Sequence, residues 1–247
     1  MASRNAPMYQ KEFFVAQLAL AQKIADIASQ PLEQVVLQYT ALYRIFGLDW
    51  SFDPTNPVWE AYISGLPGAA DKTQYTYEYY LQRYPEIPTS AEEQPHWGCF
   101  SYNYDPATQK IRLHFGDYDQ SEHGPLSHLR IIQRKEELRA MFQHIQSNHP
   151  DALWVVGGSW LYNWESYTRL FPPQFVQAAK ARKMPSLQGR ASWNQLLRRG
   201  WRIHNESLAI FLQRVSQLEQ VEDYPGCFLY AELWTEAPIS LFYAFYV

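Results

Sequence analysis

The chain has 247 residues, of which 47% are hydrophobic, 19% are charged and 16% are aromatic. This length can bury a substantial core without disulfides or metals, and the composition is that of a folded protein rather than a disordered one. The formal net charge is -4 and the sequence has no long basic run. Both observations argue against nucleic acid as a main partner.

The sequence shows no pattern typical of a targeting signal or of a membrane-spanning segment. Residues 1–10 lack the basic and then apolar pattern of a signal peptide, and no apolar run is long enough to cross a bilayer. Cys99 and Cys227 are isolated, which is typical of a reducing compartment, although a single disulfide between them is an alternative. We therefore expect a soluble cytoplasmic protein with no membrane partner, and the oligomeric state stays open.

The first third of the chain predicts helices. Apolar residues recur at helical spacing over residues 14–28, and a second helix is predicted over residues 31–47, between a proline and a glycine. Shorter helices are predicted around Trp59 and over residues 75–84.

Prolines mark the best internal boundary of the chain. Pro85, Pro88 and Pro95 indicate an extended linker after the last of these helices. We expect residues 1–95 to form a helical region that packs on a core formed by residues 96–247, the two together making one structural unit.

The remainder of the chain predicts a sheet with helices. Residues 98–104 and 110–115 alternate as a β-hairpin does, residues 127–147 predict a long helix, and residues 152–159 predict a buried strand. This strand is expected to pair with the hairpin through a crossover connection.

A short helix from Trp164, an amphipathic helix over residues 193–219, and two closing strands over residues 227–234 and 239–247 complete the predicted order. The expected fold is α+β, with a mixed β-sheet, covering helices and a helical N-terminal third.

The strand over residues 152–159 ends in a glycine pair. Gly157 and Gly158 allow backbone N–H groups to turn towards an anion, and a helix that begins there adds positive potential. Ser159 is the hydroxyl of this turn and a candidate nucleophile, but Leu161 stands where the G-x-S-x-G elbow has its second glycine. The alternative is a tight turn with aromatic rings packed beneath it.

An acidic loop precedes the long helix. Asp117 and Asp119 are candidate ligands of a hard cation, and Glu122 and His123 are a candidate acid–base pair. The spacing within residues 117–123 fits neither a calcium loop nor a zinc motif. A solvated acidic loop is the alternative.

Two arginines lie four residues apart near the start of the long helix. Arg130 and Arg134 share a helix face, and paired guanidiniums there can clamp a phosphate or a carboxylate. Glu136 and Glu137 are close enough to neutralise this charge, so solvated ion pairs are the alternative.

Tyr167 is the candidate proton donor of the short helix. It lies near Tyr162 and Arg169, and an arginine beside a tyrosine hydroxyl lowers its pKa. The alternative is that these rings pack the short helix against the sheet.

The predicted element order over about 98–247 resembles the core of the GNAT acyltransferases, and Asn163, Tyr167 and Phe171 are similar in kind to residues of that family. The resemblance implies an acyl-CoA donor, and it implies that Tyr167 acts as general acid. The spacing of these residues departs from the family pattern. The glycine-rich loop that binds the pyrophosphate is also missing, because Gly124-Pro125-Leu126-Ser127 stands in its place.

The sequence predicts a small-ligand-binding enzyme, in its most concrete form a transferase with a phosphate-bearing or acyl-CoA-like donor. The ligand is expected to be a small anion, and the sequence identifies no metal and no specific cofactor. The residues expected to bind the donor are Arg130, Arg134, Gly157 and Gly158, and those expected to act in catalysis are Tyr167 and Ser159. The alternative is a non-catalytic interaction protein with an aromatic-rich surface.

Overall fold

The computed structural model describes residues 8–87, 95–116, 122–182, 184, 186–189 and 191–247. Packing divides the chain into two compact units. Unit 1 comprises residues 1–90 and 183–231, and unit 2 comprises residues 91–182 and 232–247. Each unit has its own cluster of buried hydrophobic residues. The first change of unit lies near the predicted boundary at Pro95, but residues 183–231 belong with the N-terminal helices.

Five α-helices begin unit 1: α1 (Lys11–Ala28), α2 (Leu32–Tyr39), α3 (Leu42–Ile45), α4 (Pro57–Gly65) and α5 (Lys72–Arg83). The helix predicted over residues 31–47 is interrupted at Thr40, whose backbone is extended. The Thr40 hydroxyl donates to the Val36 carbonyl at 2.6 Å and accepts from the Leu42 N–H at 3.2 Å. A threonine hydroxyl thus replaces helical backbone bonds at this point.

Aromatic rings of unit 1 pack against one another in its core. Trp59 is surrounded by Tyr43, Phe46 and Tyr62, with ring centroids 5.3, 6.2 and 5.3 Å away. All four side chains are buried. Much of the aromatic content therefore stabilises the fold, because each buried ring removes a large apolar area from water.

Unit 2 begins with the hairpin β1 (Phe100–Asp105) and β2 (Lys110–Phe115), followed by α6 (Ile131–Asn148), β3 (Trp154–Ser159), α7 (Glu165–Thr168), α8 (Pro173–Gln177) and β4 (Lys180–Ala181). The predicted hairpin is confirmed, since β1 and β2 pair antiparallel. The predicted crossover is also confirmed, because β3 pairs parallel with β2 after the long helix α6.

The helix predicted over residues 193–219 is wrong in its first half. A 3-10 helix (Ala191–Leu196) is followed by a small hairpin of β5 (Leu197–Arg198) and β6 (Arg202–Ile203), and α9 (Asn205–Ser216) begins only then. Gly200 and Trp201 both have positive φ, so the backbone reverses there instead of continuing as a helix.

The chain closes with β7 (Leu233–Pro238) and α10 (Ile239–Tyr246). The strand predicted over residues 239–247 is therefore wrong, and the strand predicted over residues 227–234 overlaps β7 only at Leu233 and Trp234. Pro238 has φ -57° and suits the residue before a helix, and Ile239, Phe242 and Tyr246 are buried at helical spacing. One closing strand of the element order that resembles the acyltransferases is thus a helix.

The sheet of unit 2 has the strand order β1-β2-β3-β7-β4, with β2 and β3 parallel and the other pairs antiparallel. The fold is α+β, with a mixed sheet. One face packs against helices: Ile111, Val155 and Ala237 lie side by side in neighbouring strands and are buried in the same cluster as residues of α6 and α10. We call this the inner face.

Side chains alternate between the two faces along each strand, so the register also defines an outer face. Its residues are Ser101, Asn103, Asp105, Lys110, Arg112, His114, Trp154, Val156, Gly158, Lys180, Trp234, Glu236 and Pro238, continued by Arg182 after β4. Most are exposed or half-buried, and Ser101 and Val156 are buried among them. Within the described ranges, no helix is long and apolar enough to cross a membrane.

Candidate functional site

The two glycines of β3 make room for aromatic rings on opposite faces of the sheet. Neither has a positive φ, so neither is required by backbone conformation. On the inner face, a β-carbon at Gly157 would lie 2.0 Å from the hydroxyl oxygen of Tyr162. On the outer face, a β-carbon at Gly158 would lie 2.8 Å from Cε3 of Trp234. The predicted alternative, rings packed against the glycine pair, describes both positions.

Ser159 serves as a helix cap. Its Oγ accepts the N–H of Leu161 at 3.1 Å, which begins the 3-10 helix Trp160–Asn163. A hydroxyl oxygen in this position satisfies an N–H group that has no partner within the helix. The predicted nucleophile is therefore engaged in local structure.

Tyr167 lies inside the core of unit 2, between Tyr162 and Phe171, with ring centroids 5.2 and 4.9 Å away. Burial raises the pKa of the Tyr167 hydroxyl, so the prediction that Arg169 lowers this pKa is wrong. The Arg169 guanidinium instead donates to the Leu126 carbonyl at 3.0 Å. Burial also raises the pKa of Tyr162 well above its usual range.

Arg134 is 1% exposed and forms an ion pair with Glu137 at 3.1 Å. The same Glu137 carboxylate accepts the backbone N–H of Cys99 at 3.1 Å. Arg130 is half-buried at the start of α6, where its guanidinium donates to Gln133 at 2.6 Å. Arg134 therefore belongs to a buried polar cluster. The predicted alternative was a solvated ion pair; Arg134 does form an ion pair, but this pair is buried.

Residues 117–121 of the predicted acidic loop, including Asp117 and Asp119, lie outside the described residues. Glu122 and His123 are exposed. Across the part of the chain that the structure describes, no three His, Cys, Asp or Glu side chains come together as metal ligands would.

A tryptophan flanked by two arginines forms the most distinctive arrangement on the outer face. The Trp234 ring occupies the space above Gly158, since the two residues are opposite each other in the β3–β7 pair. Cζ of Arg112, from β2, lies 4.9 Å from the ring centroid, and Cζ of Arg182, just after β4, lies 5.0 Å away. Guanidiniums at this distance are attracted to the negative face of the indole.

A second tryptophan occupies the same face. Trp154 of β3 is 38% exposed and lies opposite Lys110 of β2. Lys110 forms an ion pair with Glu236 of β7 at 2.9 Å. Lys180 is exposed and pairs with Trp234 in the sheet register.

The chain matches no protein-family model, curated protein or solved structure at a significant level. The function is therefore argued from the geometry of the site itself.

The outer face is locally basic although the whole chain is acidic. Lys110, Arg112, Lys180 and Arg182 lie on or beside it, against two carboxylates on the face, Glu236, which is paired with Lys110, and the exposed Asp105, which lies opposite Lys110 in the β1–β2 pair. Neither Lys180 nor Arg182 has an ion pair among the described residues. A planar indole next to these cations suits a ligand with an unsaturated ring and a negative charge.

One sequence signal points to this face. In β2, Lys110, Arg112 and His114 alternate with Ile111 and Leu113, which is the pattern of a strand with one buried and one cationic face. The same alternation predicts the hairpin, and its polar positions were missed as candidate binding residues. The remaining partners come from distant segments and only the sheet register brings them together.

Proposed function

We propose that this protein binds a small anionic ligand with a planar ring on the outer face of the unit 2 sheet. The ligand class is the phosphate-bearing one that the sequence predicts, but the binding residues are different. The supporting observation is Trp234, held above Gly158 with the guanidiniums of Arg112 and Arg182 4.9 and 5.0 Å from its ring centroid.

The three side chains contribute different interactions. An indole offers a broad apolar surface on which a purine or another flat ring stacks. A guanidinium presents several N–H donors in a plane and can bind two phosphate oxygens at once. Arg112 and Arg182 reach Trp234 from strands on either side of the β3–β7 pair, so a ring that stacks at Trp234 has a cation on each side.

The protein binds this ligand and does not catalyse a reaction on it at the outer face. Tyr167 is buried on the inner side of the sheet and the Ser159 hydroxyl caps a helix, so neither supports catalysis at the outer face. The proposed function therefore combines the small anionic ligand expected for an enzyme with the aromatic, non-catalytic surface expected for an interaction protein.

Isothermal titration calorimetry on the full chain tests this function. We expect ADP and coenzyme A to bind, and inorganic pyrophosphate, which has the charge but no ring, to bind more weakly. Trp234→Ala removes the indole, and we expect it to weaken ADP binding about fivefold or more, since ring stacking is worth about 1–3 kcal/mol. Arg182→Gln is expected to weaken ADP and pyrophosphate alike.

Trp50 provides a matched control in unit 1. It is 58% exposed and has Cζ of Arg44 4.1 Å from its ring centroid. Trp50→Ala thus removes another exposed Trp–Arg pair and is expected to leave ADP binding unchanged. Wild-type affinity in Trp234→Ala and Arg182→Gln, or no binding of any ligand of this class, would show that the proposed function is wrong.

A further inference from the structure

We infer that the natural occupant of the outer face is a single-stranded nucleic acid, several nucleotides of which lie across the sheet. This inference rests on the proposed function, because it takes the same rings and cations and assigns them a longer ligand. It departs from the expectation drawn from the net charge of -4, since that value describes the whole chain and not this face.

Two tryptophans on one face favour a chain of bases over a single nucleotide. Trp154 lies opposite Pro238 in the β3–β7 pair, and Trp234 is four residues before Pro238 in β7. Four residues at about 3.3 Å each and one strand spacing of about 4.8 Å place the two backbone positions about 14 Å apart. The base of one mononucleotide reaches one indole, whereas a strand with about 3.4 Å between stacked nucleotides spans both in about four steps.

The cations lie along the same route. Arg112, Val156 and Glu236 occupy the row of the sheet between the rows of Trp154 and Trp234, and the Glu236 carboxylate is paired with Lys110. Lys180 and Arg182 lie at the β4 edge beside Trp234. A nucleic acid strand carries a phosphate at every step, so this alternation of ring and cation matches its repeat of base and charge. The charge complementarity is strongest at the β4 edge, where Lys180 and Arg182 lie, because the carboxylates Asp105 and Glu236 lie beside Lys110.

The ligand is single-stranded because the rings require unpaired bases. A duplex hides the flat faces of its bases within the stack, and an open sheet with exposed aromatics binds bases that are splayed out. Few side chains on the face can read base edges, because Asn103 and His114 bond to each other at 2.5 Å. We therefore expect weak dependence on base sequence.

Fluorescence anisotropy with the full chain tests the inference. The probe is a labelled oligouridylate of about eight nucleotides, a length within the usual range for a single binding fold. We expect the dissociation constant of the oligomer to be at least tenfold lower than the inhibition constant of UMP. A duplex of the same length is expected to compete poorly. Trp154→Ala and Trp234→Ala are each expected to weaken binding about 5-fold to 150-fold, the equivalent of about 1–3 kcal/mol per stacked base.

Salt dependence separates the phosphate contacts from the stacking contacts. Lys180→Gln and Arg182→Gln are each expected to reduce the slope of log affinity against log salt by about 0.7, the value for one phosphate contact on a single strand. Trp154→Ala is expected to weaken binding without changing that slope. Trp50→Ala and the far-ultraviolet circular dichroism spectrum of each variant are the controls for specificity and folding.

Each other outcome has a defined meaning. If UMP competes as well as the oligomer and Trp154→Ala has no effect, the face binds a mononucleotide: the inference is overturned and the proposed function stands. If inorganic polyphosphate competes equally and both tryptophan variants bind normally, the face attracts only charge and the inference is overturned. If neither the oligomer nor any mononucleotide binds, both are overturned. Sedimentation that shows a dimer dissociated by Trp154→Ala would assign the face to a second copy and overturn the inference.

Discussion

The glycine pair of β3 gives the sharpest test, because neighbouring residues have opposite expected effects. Gly157→Ala places a methyl group 2.0 Å from the Tyr162 hydroxyl oxygen on the buried inner face. Gly158→Ala places one 2.8 Å from the Trp234 ring on the outer face. Neither position has a positive φ, so both substitutions act through space and not through backbone strain.

The expected loss of stability at each glycine depends on whether the neighbouring ring can move away. Tyr162 is fully enclosed by rings and cannot withdraw, so we expect Gly157→Ala to cost about 1–3 kcal/mol, the usual cost of overpacking a core. At roughly 2–4 °C per kcal/mol for a chain of this size, Tm should fall by about 2–12 °C. Trp234 is half-buried and can tilt towards solvent, so Gly158→Ala should cost less than about 1 kcal/mol.

Ligand binding is expected to show the reverse order. A tilted Trp234 loses its position between Arg112 and Arg182, so Gly158→Ala should weaken ADP binding several-fold, whereas Gly157→Ala should leave the affinity of the remaining folded protein unchanged. Differential scanning fluorimetry and calorimetric titration measure the two effects. Gly226→Ala is the control, since a β-carbon there meets nothing within 4 Å. Equal destabilisation by both variants, or wild-type affinity in Gly158→Ala, would refute this reasoning.

Three further predictions concern the cores. Glu137→Ala should lower the free energy of unfolding by about 3 kcal/mol in urea titration, because it leaves the buried Arg134 guanidinium without its carboxylate, and Arg134→Met combined with Glu137→Leu should recover part of this loss. Tyr167→Phe should leave ADP affinity unchanged in the calorimeter, and a large loss of affinity would revive the predicted catalytic hydroxyl. Burial raises the pKa of Tyr80 to about 12, so its contribution to stability should be constant below about pH 10 and be lost as pH rises through about 12, and Tyr80→Phe should reduce the alkaline decline in urea titrations.

The sequence predicted those elements whose pattern has one interpretation. The hairpin of β1 and β2 alternates apolar and polar residues around a turn, and α6 has a long helical periodicity, so both were predicted correctly. The run Ile239–Tyr246 is apolar and aromatic almost throughout, which suits a buried strand as well as a helix. Only the packing of Phe242 and Tyr246 against Phe142 decides between them.

Local sequence draws attention to the glycine pair but does not show which neighbours require it. Gly157 and Gly158 stand out because they interrupt an apolar strand, but the rings that require them are Tyr162 and Trp234, the second of them 76 residues further along the chain from Gly158. Arg182 reaches that ring through the pairing of β4 with β7. Such a set of neighbours depends on sheet register, which local spacing does not encode.

The pairing of β4 with β7 also determines how unit 2 can vary. Its chain departs after Arg182 and returns at Glu232, and Ala181 and Leu233 are direct partners in the sheet. Neighbouring strands lie about 4.8 Å apart, a gap that a two-residue turn can close. In unit 2, residues 183–231 are thus an insertion at a hairpin tip, a position where proteins accept foreign segments of any length. Unit 2 can accept another segment here if the register between Lys180 and Trp234 is kept, whereas unit 1 would lose the part of its core that residues 183–231 supply.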